Sequence, residues 1–204
     1  MKHSLTRMPI HAVLQRGLTL IELLVTITVM GVLMAIGVPS FQSSMASSRV
    51  TTTNNDFVSA LALARSEAIR RGTRITVCKS TNGTACFTTG DWAQGWIVFV
   101  DTTRTAADAA VDAADIREII VSRSQASAAG IVIAGEAAVA NFISFSADGT
   151  ARTMAGAPQQ GRVRVCSTSA ALDNARRARD ITLAGTGRLT TVTPASVAAT
   201  CPLT

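Results

Sequence analysis

Residues 18–38, LTLIELLVTITVMGVLMAIGV, form an apolar run that carries one charge, Glu22, and no proline. As a helix rising ~1.5 Å per residue, the run is long enough to cross a hydrocarbon core of ~30 Å. Lys2, Arg7 and Arg16 precede it and no acid does. That charge pattern keeps the leader cytoplasmic and sends the rest of the chain across the membrane. A plain secretory signal fits poorly: the run is too long and is followed by Val38-Pro39-Ser40-Phe41 rather than a small-residue cleavage site. A buried soluble helix would not need so long an uninterrupted apolar stretch. A simple single-pass anchor explains length and orientation but not Glu22. A carboxylate in lipid costs at least ~2.5 kcal/mol, so one lying near the start of the run calls for a partner.

Beyond the run, the pattern predicts that the helix continues outside the membrane. Phe41, Met45, Val50, Phe57, Leu61, Ala64 and Ala68 recur at helical spacing among Ser, Thr, Asn and Arg. Arg70-Arg71-Gly72 supplies a stop, with positive charge in the last turn and glycine at the cap. A helix from Leu18 to about Arg71 would be ~80 Å long. After Gly72 the pattern turns to short strands: 74–79, 95–100, 116–122, 131–134, 141–146, 162–166, 181–184 and 188–193. Asn82-Gly83 reads as a hairpin-type turn and Asp148-Gly149 as a second turn. A long helix followed by many strands predicts an α+β architecture, with the helix packed on a C-terminal antiparallel β head.

That head is small, rich in Ala, Thr, Ser and Gly, and without tyrosine, a composition suited to covalent staples. Cys78, Cys86, Cys166 and Cys201 are even in number and lie downstream of a membrane-targeting segment, which points to disulfides in an oxidising compartment. Three pairings are possible; the most economical joins Cys78 to Cys86 and Cys166 to Cys201. Zinc fits poorly, because no close CxxC pair exists and both histidines, His3 and His11, lie in the leader. Without histidine, the remainder offers no Ser-His-Asp or Cys-His arrangement, and it contains no P-loop or dinucleotide fingerprint. We therefore expect no enzyme, no cofactor and no metal. Asp101, Asp108, Asp112 and Asp115 lack EF-hand spacing and read as a solvated loop. Lys79, the sole lysine after the leader, reads as solvated, and Trp92 and Trp96 as packing residues.

Residues 16–25, RGLTLIELLV, resemble the class III signal of type IV pilins and pseudopilins. The resemblance implies cleavage by a prepilin peptidase between Gly17 and Leu18, and N-methylation of Leu18, where most of the family has Phe. It implies that Glu22 pairs with the new amino terminus of a neighbouring subunit, which compensates a charge that is costly alone. Pro39 falls where many pilins carry a helix kink. The chain then divides into a removed leader (1–17), a transmembrane and assembly helix (18–38), the amphipathic half of that helix (39–72) and a disulfide-bearing periplasmic head (73–204). VCKS…GTAC…DW…GWIVFVD, with Ser144-Phe145, Asp148-Gly149 and Gly187-Arg188, resembles the FimT/GspH branch of minor pilins and pseudopilins.

On that resemblance the chain is a minor pilin needed for pilus assembly or priming. Alternatives are a type II secretion pseudopilin, from which Pro39 and the cysteines lean away, and a DNA-binding pilin of transformation. The implied partners are other pilins, the prepilin peptidase, an inner-membrane assembly platform, the lipid bilayer before assembly, and DNA. The implied location is the Gram-negative inner membrane, single-pass with a periplasmic head, and then a pilus or pseudopilus. Arg162, Arg164, Arg176, Arg177, Arg179 and Arg188 form the candidate DNA contacts, since arginine forks suit phosphate. Some FimT-type pilins use a C-terminal Gly-Arg-x-Arg motif. Gly187-Arg188-Leu189-Thr190 keeps only its first arginine, while Gly161-Arg162-Val163-Arg164 matches it on an expected strand, where both arginines share one face.

Overall fold

The computed structural model describes residues 17–102 and 119–203. The leader through residue 16, the stretch with Asp108, Asp112 and Asp115, and the first residues of the strand expected at 116–122 lie outside them, whereas Asp101, expected in a solvated loop, is buried and accepts from the Thr76 hydroxyl at 2.5 Å. The chain divides into two compact units, with the division between Ser40 and Phe41.

Helix α1 runs Leu20–Arg71. From Leu20 to Ser40 every residue is exposed, and this part is long and apolar enough to cross a membrane. Pro39 lies inside α1 rather than ending it, although it offers no amide to the carbonyl of Ala35. Gly72 stops the helix as expected: its φ of 63° is easy only without a Cβ, and the Thr73 amide returns to the Ala68 carbonyl at 3.3 Å.

In the second unit, α1 is followed by β1 (Ile75–Lys79), β2 (Trp96–Val100), β3 (Ile120–Ser124), β4 (Ile131–Gly135), β5 (Phe142–Phe145), β6 (Gly161–Ser167), β7 (Ala178–Leu183) and β8 (Leu189–Val192). They form two four-stranded antiparallel sheets, ordered β3-β2-β1-β5 and β4-β6-β7-β8. This is the α+β architecture expected from the order of elements. Val50, Phe57, Leu61, Ala64 and Ala68 of α1 meet Ile75, Val77, Val98 and Ile143 of the first sheet and Ile133, Val165 and Ile181 of the second in one core. Phe57 stands edge-on to both Trp92 and Trp96, with ring centroids 5.1 Å apart in each pair. Both tryptophans are buried packing residues, as expected, and the Trp92 indole donates to the Val139 carbonyl at 3.1 Å.

The period-2 alternation of the strands leaves each sheet a second face, and each is closed by its own disulfide. Cys78 bonds Cys86 beneath Ile97 and Phe99 on the first sheet. Cys166 bonds Cys201, which with Val197 seats the C-terminal tail over Ala178 on the second. Each staple thus anchors a satellite core under a loop that buries little apolar surface by itself.

The structure differs from the sequence reading at several places. Phe41 (68% exposed) and Met45 (43%) continue the helical stripe but are not covered by the head. Asn82-Gly83 does not close a two-strand hairpin: the Asn82 side-chain oxygen accepts from the amides of Thr84 and Ala85, folding a turn inside the disulfide loop. β7 starts at Ala178, earlier than expected, because cross-strand pairing recruits the polar Arg179-Asp180.

Candidate assembly site

Gly17, Leu18 and Thr19 precede the helix. Thr19 caps it: its hydroxyl accepts from the Glu22 amide at 3.2 Å, and its carbonyl accepts from the Leu23 amide at 3.1 Å. Thr19-x-x-Glu22 has the spacing of a capping box, with the acid in the first turn where the helix dipole favours it. The sequence reading missed this cap, although a threonine three residues before a glutamate was there to signal it. Glu22 is exposed, and among the described residues its carboxylate accepts no hydrogen bond and makes no ion pair. Leu18, Leu20 and Ile21 beside it are 74%, 78% and 66% exposed. Nothing lies within 4 Å of a Cβ built on Gly17. The Gly17–Leu18 peptide therefore sits in non-helical, open backbone, one turn before a carboxylate without a local partner.

The six arginines of the C-terminal half do not gather into one surface. β6 and β7 place Arg164 opposite Asp180, and the two form a bidentate pair at 2.7 and 2.8 Å, 5% and 4% exposed. Arg164 also donates to the carbonyl of Pro202 in the tail. Arg162 does share that face, as alternation requires, but it too is drawn to acids: Glu136 at 3.3 Å and Asp180 at 3.6 Å. Arg177 is buried and donates to the carbonyls of Ser167, Ser169 and Leu172. Arg176 is exposed and holds Asp173 at 2.8 Å, which keeps that carboxyl below its usual range. Arg179 is half-buried and donates to the Ala178 carbonyl. Only Arg188 of the six is exposed with a side chain that makes no hydrogen bond or ion pair among the described residues. Arg164 and Arg177 are thus removed from the candidate DNA contacts, because each already satisfies buried acceptors.

The motif residues of the head are fold-building. Lys79 is buried instead of solvated. Its ammonium donates to the carbonyls of Thr88 (3.0 Å) and Gly90 (2.8 Å), tying down the segment between Cys86 and Asp91 that follows the disulfide loop. Desolvation lowers its pKa, against the pull of Asp91. Asp91 caps the turn that carries Trp92, accepting from the Ala93 amide at 3.1 Å. Gly95 (φ 115°) lets the carbonyls of Ser80 and Ser124 approach to where a Cβ would stand, 2.9 and 2.8 Å away. Gln159, which the sequence reading did not single out, is fully buried. It accepts from the Ser144 amide and donates to the carbonyls of Ala138 and Phe142 at 2.8–3.0 Å. No group of three or more His, Cys, Asp or Glu side chains able to hold a metal occurs among the described residues.

Comparison with known proteins gives two family matches: type II transport protein GspH over residues 53–187, and the prokaryotic N-terminal methylation motif over residues 14–38. No curated protein matches. Two crystal forms of the type IV minor pilin FimU from Pseudomonas aeruginosa (strain PAO1) are similar in structure. One has 17% identity and a TM-score of 0.47, covering 77% of this chain and 96% of that one. The other has 16% identity and a TM-score of 0.46, covering 75% and 98%.

Proposed function

We propose a filament-subunit role for this chain, which belongs to the GspH family and carries the N-terminal methylation motif of pilin-like proteins. It is a minor pilin or pseudopilin, and our reading is a minor pilin that joins or primes a type IV pilus. The observation that carries the assembly role is Glu22: an exposed carboxylate, without a partner among the described residues, at the start of the apolar and fully exposed part of α1 through Ser40. Alone in lipid it is costly; opposite a positive amine it is compensated.

On this reading a prepilin peptidase cuts between Gly17 and Leu18 and methylates the Leu18 amine. The bilayer covers residues 18–38 until other subunits do, and Pro39 is the place for a kink. Glu22 then receives the amine of an adjoining subunit on an inner-membrane platform, with the head on the periplasmic side. The two disulfides suit that compartment.

Mass spectrometry of protein from cells tests the first step; the expected mature chain begins at methylated Leu18. Glu22→Ala is expected to be processed normally yet lost from sheared filaments. Retention of residues 1–17, or normal incorporation of the Glu22→Ala protein, refutes the reading. A deletion strain distinguishes pilus from secretion machine: lost piliation with intact type II secretion is expected, and the reverse would assign the chain to the pseudopilus.

A further inference from the structure

β8 ends the second sheet and, among the described residues, has a strand neighbour on one side only, β7. The Ala184 amide donates to the Arg188 carbonyl at 3.0 Å, which starts the ladder. Antiparallel alternation then turns the main chain of Thr190 and Val192 toward β7 and leaves the amides and carbonyls of Leu189 and Thr191 facing outward. No other described residue bonds them there. Natural sheet edges are usually blunted by a charge, a proline or a bulge. Residues 189–192, LTTV, carry no charge and no proline, and the β7–β8 register is unbroken.

Beside the start of this edge, a groove of about 510 Å³ separates β8 from α1. Val58, Ala62 and Ile69 line its helix side and Leu189 its strand side. Arg65 sets its width: it donates to the carbonyls of Gly149 (3.0 Å) and Thr186 (3.3 Å), which fixes the turn before β8 against the helix. Arg188 also lines the groove, and among the described residues neither arginine has an acid as partner.

We propose that the free edge of β8 is a docking site for an extended, acid-bearing peptide segment of a partner protein, which adds a strand to the second sheet. Its main chain pairs with Leu189 and Thr191. Strand side chains alternate, so every second one of the added strand turns toward α1, where the apolar groove receives it. A carboxylate at the end that meets Arg188 answers the two arginines. A nucleic-acid strand fits this place less well, because its charges recur at every nucleotide and residues 189–192 offer none to meet them. The docking edge is independent of the filament role.

The test uses the full chain in detergent and synthetic peptides: a short alternation of threonine and valine ending in aspartate, the same peptide ending in lysine, and a backbone-methylated form of the first that cannot form a ladder. Nuclear magnetic resonance reads hydrogen exchange at the Leu189 and Thr191 amides. At ~1 mM the acidic peptide is expected to slow exchange at both amides about tenfold, the lysine peptide less than about threefold, and the methylated peptide not at all. Thr191→Pro removes an outward amide and leaves the β7 ladder whole, so it is expected to melt like the wild type and lose the protection at Leu189. Thr190→Pro breaks the ladder and is expected to lower the Tm. Arg188→Gln is expected to weaken the acidic peptide about fivefold and to leave the lysine peptide unchanged. Failure of the acidic peptide to protect, equal protection by the methylated one, or protection by a DNA strand and not by the acidic peptide overturns the proposal. So does a Thr191→Pro protein that melts normally and keeps its protection. If Thr191→Pro does not fold, Arg188→Gln decides: unchanged affinity for the acidic peptide overturns the proposal.

Discussion

Arg164→Met is expected to destabilise the head by roughly 3 kcal/mol. Arg164 and Asp180 are joined by two short hydrogen bonds and are almost completely buried, at 5% and 4% exposure. Removing one partner of such a pair strands the other charge and costs ~3–5 kcal/mol. Arg164→Met falls at the low end, because Asp180 keeps Arg162 at 3.6 Å. Asp180→Leu falls at the high end, about 5 kcal/mol, because Arg164 keeps only the Pro202 carbonyl. The double variant puts apolar groups on both sides and is expected to cost less than either single. For a domain of this size about 3 kcal/mol corresponds to a fall in Tm of roughly 6–12 °C. Near-ultraviolet circular dichroism of the full chain in detergent reads this through the buried Trp92 and Trp96, whose signal is separate from that of the apolar helix. Singles that each cost under about 1 kcal/mol and simply add in the double would refute the argument. The same logic warns that lost DNA binding in an Arg164 variant would report unfolding, not a missing phosphate contact.

Gly187→Ala is expected to lower the Tm measurably, because φ is 77° and a Cβ would stand 2.1 Å from the Gly149 carbonyl oxygen; an unchanged melt would show that the two turns do not meet so closely. Cys166→Ser/Cys201→Ser is expected to cost about 4 kcal/mol and Cys78→Ser/Cys86→Ser about 2.5 kcal/mol by loop-closure entropy. Only the former should open the C-terminal tail to protease. Glu67 is held at a pKa of about 2, below its ordinary 4.5, by hydrogen bonds from Arg70 and Arg71. A depressed carboxylate stabilises the fold fully above its unfolded pKa and loses that contribution as pH falls through the folded one. Wild-type stability should therefore drop between pH 4.5 and about 2 more steeply than that of Glu67→Gln in acid titrations followed by circular dichroism.

Local signals carried much of this protein. The apolar run, the glycine stop after Arg71 and the alternation in 75–79 and 96–100 each act over one element, so the sequence displays them directly. Glu22 could be singled out because a charge in an apolar run is anomalous whatever surrounds it. What escaped depends on partners distant in the chain. Lys79 looked solvated because its carbonyl partners come from a loop folded back over it. Phe41 and Met45 kept the helical period, yet the head does not reach them. The arginines looked like one basic patch because sequence counts charges without showing which face an acid. Asp180 lies 16 positions from Arg164, and only the β6–β7 register sets them side by side. Sequence alone therefore determined the long apolar helix, the order of elements and the chemistry available. Tertiary structure decided which charges are already neutralised and which, such as Glu22 and Arg188, remain without a partner among the described residues, because pairing depends on distance in space and not along the chain.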